Sequence, residues 1–252
     1  MTPLGLCSSA TTGALAERRR ADEAGGRRPG SKRGEGISVS RVLPAALLLA
    51  LLASGPAQAA YSGLTVVPTA DVLAPGQACV DYQVYTPTAF ASGPEAVYVN
   101  TQYALGSRAE VGMDFDLTQD APTGAVLNGK LALLPLDTGI GLAAGIYNAG
   151  ENLRPISYLA ATAEVSDRLR LHVGAHRTPD EESQGFVGAE YQVGQRVWLW
   201  GEYLAGDENA SAATLYYQLS DHWGISIGLQ RPNDRECDDS LVLDIGCVHP
   251  AW

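Results

Sequence analysis

The sequence predicts an all-β protein: a transmembrane antiparallel up-and-down β-barrel of about 12 strands, preceded by a cleaved signal peptide. Three observations carry that expectation. Apolar and polar residues alternate with period 2 along most of the chain after residue 77. The alternating runs are about 10 residues long, the length of a tilted strand crossing a bilayer core, whereas strands of soluble sheets are nearer 5–6. Connections between runs alternate strictly between tight turns and longer polar loops, as in outer-membrane barrels.

The N-terminal residues have a different character. Residues 1–36 are rich in Arg, Gly and Ser, with Arg18, Arg19, Arg20, Arg27, Arg28, Lys32 and Arg33 and little apolar periodicity, a composition that cannot bury a core. Residues 37–59 have the three parts of a secretory signal peptide: Arg41, the apolar run Val42 to Ala53, and the small-residue site Ala57-Gln58-Ala59 after Gly55-Pro56. An apolar run of this length is short for a spanning helix. Because basic n-regions are normally short, translation is expected to start near Val39, with residues 1–38 a gene-calling artefact.

The leader carries 8 of the 17 basic and 4 of the 28 acidic residues, leaving 9 basic and 24 acidic residues in 60–252, a net −15. Phosphate binding needs clustered Lys and Arg, so nucleic acid is not an expected partner. Of the cysteines, Cys79, Cys237 and Cys247 follow the leader. Cys79 and Cys247 fall at the same end of the first and last runs, but on opposite parities, so a disulfide across the seam would need a bulge.

Residues 60–76 form a lead-in and 77–252 the barrel. The strands are expected at 77–86, 95–104, 107–117, 124–134, 139–148, 156–165, 168–177, 185–193, 196–205, 211–219, 222–231 and 239–248. In 108–117, Ala109, Val111, Met113, Phe115 and Leu117 form an apolar face, and Arg108, Glu110, Gly112, Asp114 and Asp116 a polar one. Tyr103, Tyr191 and Trp223 fall near the tight-turn ends of outward faces, and Phe115 and Tyr203 near the loop ends, as interfacial aromatic belts require. At the C-terminus, Pro250 is expected to interrupt the last strand, with Trp252 out of phase with the outward positions.

Assigning the polar parity to the lumen gives a pore lining of Asp81, Glu110, Asp114, Asp116, Lys130, Glu164, Arg168, Arg170, His172, Glu190, Arg196, Glu202 and Asp244. Excess carboxylate implies cation preference if the bore is open and salt-bridge networks if it is filled. Glu164 and Arg168, flanking the Ser166-Asp167 turn, are expected to bridge locally. His172 and His176 share one face about 13 Å apart, too far to ligate one metal. Ser157 and Ser226 are the candidate nucleophiles for a rival reading as a lipid-acting barrel enzyme, but neither lies in a Gly-x-Ser-x-Gly pattern. No catalytic residues, metal site or cofactor are assigned. The loop Asp234-Arg235-Glu236-Cys237-Asp238-Asp239 could meet divalent cations between its carboxylates and lipid headgroups. A secreted soluble β-sandwich that binds a partner is the other alternative.

Residues 61–76, Tyr-Ser-Gly-Leu-Thr-Val-Val-Pro-Thr-Ala-Asp-Val-Leu-Ala-Pro-Gly, contain Gly63-Leu64, Pro68-Thr69-Ala70, Leu73 and Gly76. This resembles the opening of a family of exopolysaccharide-associated outer-membrane barrel proteins. The resemblance implies a segment that is periplasmic or tucks into the lumen, a bacterial outer-membrane location among outer-membrane lipid, and an association with exopolysaccharide export machinery. The function expected is a narrow passive pore or scaffold.

Overall fold

The computed structural model describes residues 63–88, 96–118, 125–150, 155–179 and 182–250, with residues 249 and 250 described by their backbone alone. The leader, the signal peptide and Trp252 lie outside the described residues. The strands are β1 (Gln77–Pro87), β2 (Ala96–Ala104), β3 (Ala109–Asp116), β4 (Ala125–Leu134), β5 (Ile140–Ala149), β6 (Ile156–Ser166), β7 (Leu169–Arg177), β8 (Gln184–Gly194), β9 (Val197–Leu204), β10 (Ala210–Gln218), β11 (Trp223–Pro232) and β12 (Ser240–Pro250). Each pairs antiparallel with its sequence neighbours, and β12 pairs with β1, closing a 12-strand barrel. Closure leaves no free sheet edge, which is how so many strands coexist without templating aggregation.

The register shows why the alternation reads so cleanly. Asp81 lies opposite Asn100 and Gly246, Asn100 opposite Asp114, and Glu110 opposite Lys130. Polar faces therefore meet polar faces around the ring, and one slipped residue would turn a whole strand inside out. Outward lie exposed apolar side chains such as Val111, Met113, Leu171, Val173, Leu199, Ile225, Ile227 and Leu243. Tyr103, Tyr191, Phe115 and Tyr203 are also outward and exposed. Bulges in the β4–β5, β6–β7 and β8–β9 pairings adjust the register locally.

The tight turns are built from residues suited to them. Leu136–Thr138 makes a short 3-10 turn ended by Gly139 at φ +82°, whose N–H donates to the Leu136 carbonyl at 2.8 Å. Pro75-Gly76 turns the chain into β1, with Gly76 at φ +74° and the Gln77 N–H donating to the Ala74 carbonyl at 3.0 Å. Proline first and a positive-φ glycine second is the type II turn preference. The last strand differs from expectation. It continues through Pro250, opposite Gln77, because proline is tolerated where a strand end needs no ladder donor.

Candidate functional site

The interior is occupied by the chain itself. Leu64, Val66, Val67, Ala70 and Leu73 are buried, and their segment contacts side chains from widely separated strands. Both oxygens of Glu202 on β9 accept backbone N–H groups, from Thr65 at 3.0 Å, Val66 at 2.7 Å and Val67 at 2.9 Å. The Thr65 and Thr214 hydroxyls lie 2.7 Å apart. The Ala70 N–H donates to Thr162 Oγ1 on β6 at 2.9 Å, and the Leu73 N–H to Glu110 Oε2 on β3 at 2.8 Å. β3 and β9 stand on opposite sides of the ring, so a short segment can reach both only from inside. Residues 63–76 therefore run up the bore from the tight-turn end, folded back on themselves by a Gly63–Pro68 bridge and a Leu64 N–H to Val67 carbonyl bond of 3.0 Å.

Charge fixes the segment from the side as well. Asp71 accepts from Arg170 Nη2, while Arg170 Nη1 donates to Glu190 at 2.8 Å. Lys130 donates to the Asp71 carbonyl at 2.7 Å and stands 3.5 Å from Glu110. Lys130 and Glu110 are both almost fully buried, where an unpaired charge would be costly. Beneath these groups Leu73, Cys79, Ala104 and Val248 form a small apolar floor.

Of the lumen assignments, Asp81, Glu110, Asp114, Asp116, Lys130, Glu164, Arg170, His172, Glu190, Glu202 and Asp244 lie on inward-facing strand positions. Arg168 and Arg196 instead sit in exposed turns before β7 and β9, because the turns there consume the positions that strict alternation would have pointed inward. The expected local Glu164–Arg168 bridge gives way to a different pairing. The regular β6–β7 register sets Arg170, not Arg168, opposite Glu164, and Arg170 turns to Asp71 and Glu190. Lys130 and Arg170 are thus the basic residues on the inward faces of the described strands, and both are engaged.

His172 lies between Thr162 Oγ1, 2.9 Å from Nδ1, and Glu190 Oε1, 2.9 Å from Nε2. A hydroxyl, an imidazole and a carboxylate in line is the connectivity of a nucleophile, base and orienting acid. Here the Thr162 hydroxyl is buried and already accepts the Ala70 N–H, so the line pins the inner segment to the wall. Ser157 is exposed on the outer face, where its hydroxyl meets the Arg177 carbonyl. Ser226 is inward and buried. His176 bonds the Tyr147 hydroxyl at 3.1 Å, and His222 Nδ1 lies 3.2 Å from the Val248 carbonyl. Among the described residues no three His, Cys, Asp or Glu side chains come together as a metal-ligating group.

A cavity of about 30 Å³ remains between the inner segment and the β9–β12 and β1 wall, room for one or two waters. Asp81, Gln83, Trp200, Tyr216, Ser226 and Asp244 are among its lining residues. Cys79 and Cys247 are free thiols on opposite faces, since the register sets Cys79 against Val248 and Val80 against Cys247. In the loop before β12, the half-buried Asp239 is held below the usual carboxylate range by hydrogen bonds from the Arg231 guanidinium, the closest at 2.9 Å.

No protein-family model matches the sequence, and no curated protein matches it. Among solved structures, the KdgM porin in complex with disordered oligogalacturonate superposes with a TM-score of 0.52 at 12% identity, covering 68% of this chain and 98% of that one. The NanC porin superposes with a TM-score of 0.47 at 10% identity, covering 69% of this chain and 100% of that one. The first likeness is one of fold alone, between sequences that share 12% of their residues.

Several interior residues lie outside the charge-based assignment. Thr162, Thr214 and the backbone N–H groups of 65–67 carry the anchoring bonds, and large rings fill the bore. Trp200 stacks on Tyr216 at 5.1 Å between centroids, and Tyr85 meets Tyr98 edge-on at 6.0 Å. Inward parity was the available signal: Tyr85 shares its strand face with Asp81, Thr162 with Glu164, and Trp200 with Glu202.

Proposed function

We propose that this chain is a bacterial outer-membrane barrel surrounded by outer-membrane lipid, forming a narrow passive pore whose bore is throttled by residues 63–76. The observation that carries the reading is the continuous outward belt of exposed apolar side chains around a closed ring, a surface that a soluble monomer would not leave bare. Passive conduction is favoured over catalysis because the Thr162–His172–Glu190 hydroxyl–imidazole–carboxylate line is buried under the inner segment. Inward carboxylates exceed inward cations, and both cations are neutralised locally, so permeant cations are preferred to anions. A sugar-acid polymer such as the oligogalacturonate held by KdgM would meet repulsion in this bore. Association with exopolysaccharide export rests on residues 61–76 alone, and divalent cations bridging the 234–239 loop to lipid headgroups belong to the same reading.

The test begins with the protein refolded in detergent and checked by heat-modifiable gel migration. Planar-bilayer recordings across a KCl gradient are then compared with a variant lacking residues 63–73. Small cation-selective currents that grow in the deletion variant are expected. A detergent-free soluble monomer would overturn the membrane reading. A folded barrel silent in both forms would overturn the pore and leave the scaffold.

A further inference from the structure

We propose that the inward wall of β1–β4 holds one hard cation between Asn100 and Asp114, with Asp81 supplying further negative charge. The argument starts from a polarised chain of amides. Gln83 donates through Nε2 to Asp244 at 3.2 Å, so its Oε1 faces the other way and accepts from Asn100 Nδ2 at 3.4 Å. Flipping Asn100 would set two amide oxygens against each other, and flipping Gln83 with it would aim an oxygen at the Asp244 carboxylate. The orientation is therefore fixed from the Asp244 end.

A planar amide that points its nitrogen toward Gln83 on the β1 side turns its oxygen toward β3, where Asp114 is its register partner. Asp114 is constrained in the same way. Its Oδ2 accepts from Asn128 Nδ2 at 2.5 Å, and Asn128 is held in that orientation because its own oxygen accepts the Asn148 N–H at 3.3 Å. What remains are Asn100 Oδ1 and Asp114 Oδ1, both buried without a hydrogen-bond partner, on residues only 3% and 5% exposed. Directly opposed inward side chains have Cβ atoms about 5 Å apart. Two acceptors on such a pair, with no donor among the described residues to serve either, make a place that a positive centre would fill.

A neutral water would satisfy the hydrogen bonding but not the charge. Asp81 lies opposite Asn100 on its other side, and the Oδ1 atoms of Asp81 and Asp244 both crowd over Gly246, whose lack of a side chain makes the space. Among the described residues no Lys or Arg forms an ion pair with Asp81, Asp114 or Asp244. Charge buried at this density is relieved by a counter-cation or by a proton, and displacement by Ca²⁺ in the experiment below separates the two. The two orphaned acceptor atoms are both oxygens, which selects Ca²⁺, Mg²⁺ or an alkali ion over the soft transition metals. This site is distinct from the 234–239 loop and does not depend on whether the bore conducts.

The experiment uses Tb³⁺ as a Ca²⁺ mimic on the full barrel folded in detergent, with luminescence sensitised by Tyr98, the next inward residue on β2. Binding displaced by Ca²⁺ is expected, with half-saturation raised at least tenfold in Asp114→Asn and in Asn100→Leu. It should be unchanged in an Asp234→Asn/Asp238→Asn loop variant. Asn100→Asp, which adds a charged ligand, should lower it several-fold, whereas a water-filled site would lose heat-modifiable folding on gaining another buried carboxylate. Wild-type protein without Ca²⁺-displaceable luminescence would overturn the proposal. So would an Asp114→Asn barrel that folds and titrates like wild type, or a signal lost only with the loop carboxylates.

Discussion

Replacing Glu202 by Ala removes the acceptor for three adjacent N–H groups, those of Thr65, Val66 and Val67. Each buried donor left without a partner costs about 1–3 kcal/mol, and water entering from the neighbouring cavity offsets part of this, so the lower end applies. The sum is about 3–4 kcal/mol against the docked state of the segment, a shift of roughly 10²–10³ in its docking equilibrium. Glu202→Gln is the finer test. Its amide oxygen can still receive Val66 and Val67, but its NH₂ meets the Thr65 N–H donor to donor, so about 1–2 kcal/mol is expected. Amide hydrogen exchange reads each position directly. Protection at residues 65–67 should fall steeply in the Ala variant and most selectively at Thr65 in the Gln variant, while the strand amides of β9 keep theirs. Unchanged protection at residues 65–67 in Glu202→Ala would refute the reasoning, because among the described residues Glu202 is the side chain that accepts from all three.

Other perturbations test the shell. Ile227→Arg, in the middle of the exposed outward face of β11, should cost about 2–4 kcal/mol of folding stability in lipid vesicles, measured by urea titration of tryptophan fluorescence; little effect would argue against a lipid-facing belt. Gly174→Val places a Cβ against the Leu159 carbonyl and the Phe186 ring, an overpacking cost of about 1–3 kcal/mol or more, read as lost heat-modifiable migration. Asp239 titrates below an ordinary carboxylate only while Arg231 faces it, so its contribution is present above the unfolded-state value and lost as pH falls through the lowered folded one. Arg231→Met should return the Asp239 side-chain carbon titration, followed by NMR, to the ordinary range, with barrel stability nearly unmoved because the Arg231 end of the pair is exposed to solvent.

The shell was legible because alternation and connection length are local properties. The register Asp81–Asn100–Asp114 follows once faces are assigned, and most inward carboxylates were found that way. Arg168 and Arg196 failed because turns break the period at the point where parity is extrapolated. The inner segment was legible only as a choice between two places. Its decisive bonds join Val67 to Glu202 across 135 residues and use backbone donors, which leave no imprint on residue type. Thr162 was passed over for a similar reason: a lone inward threonine has no motif, and its role appears only when His172 and Ala70 arrive beside it. Orphan acceptors such as Asn100 Oδ1 depend on amide orientation, which no spacing rule encodes.

The closing seam has a consequence for how the molecule is made. Every other strand pair joins neighbours in the chain and can zip as a hairpin, but β1 meets β12 with Asp81 beside Gly246, a contact between the first strand and the last. Contacts of such sequence separation are reached late, because loop-closure entropy comes before their reward. The residue before β1 ends the stretch that fills the bore. Sealing the wall and stowing the filler therefore draw on one strand, and biogenesis has a single late event at which the bore is both shut and stocked.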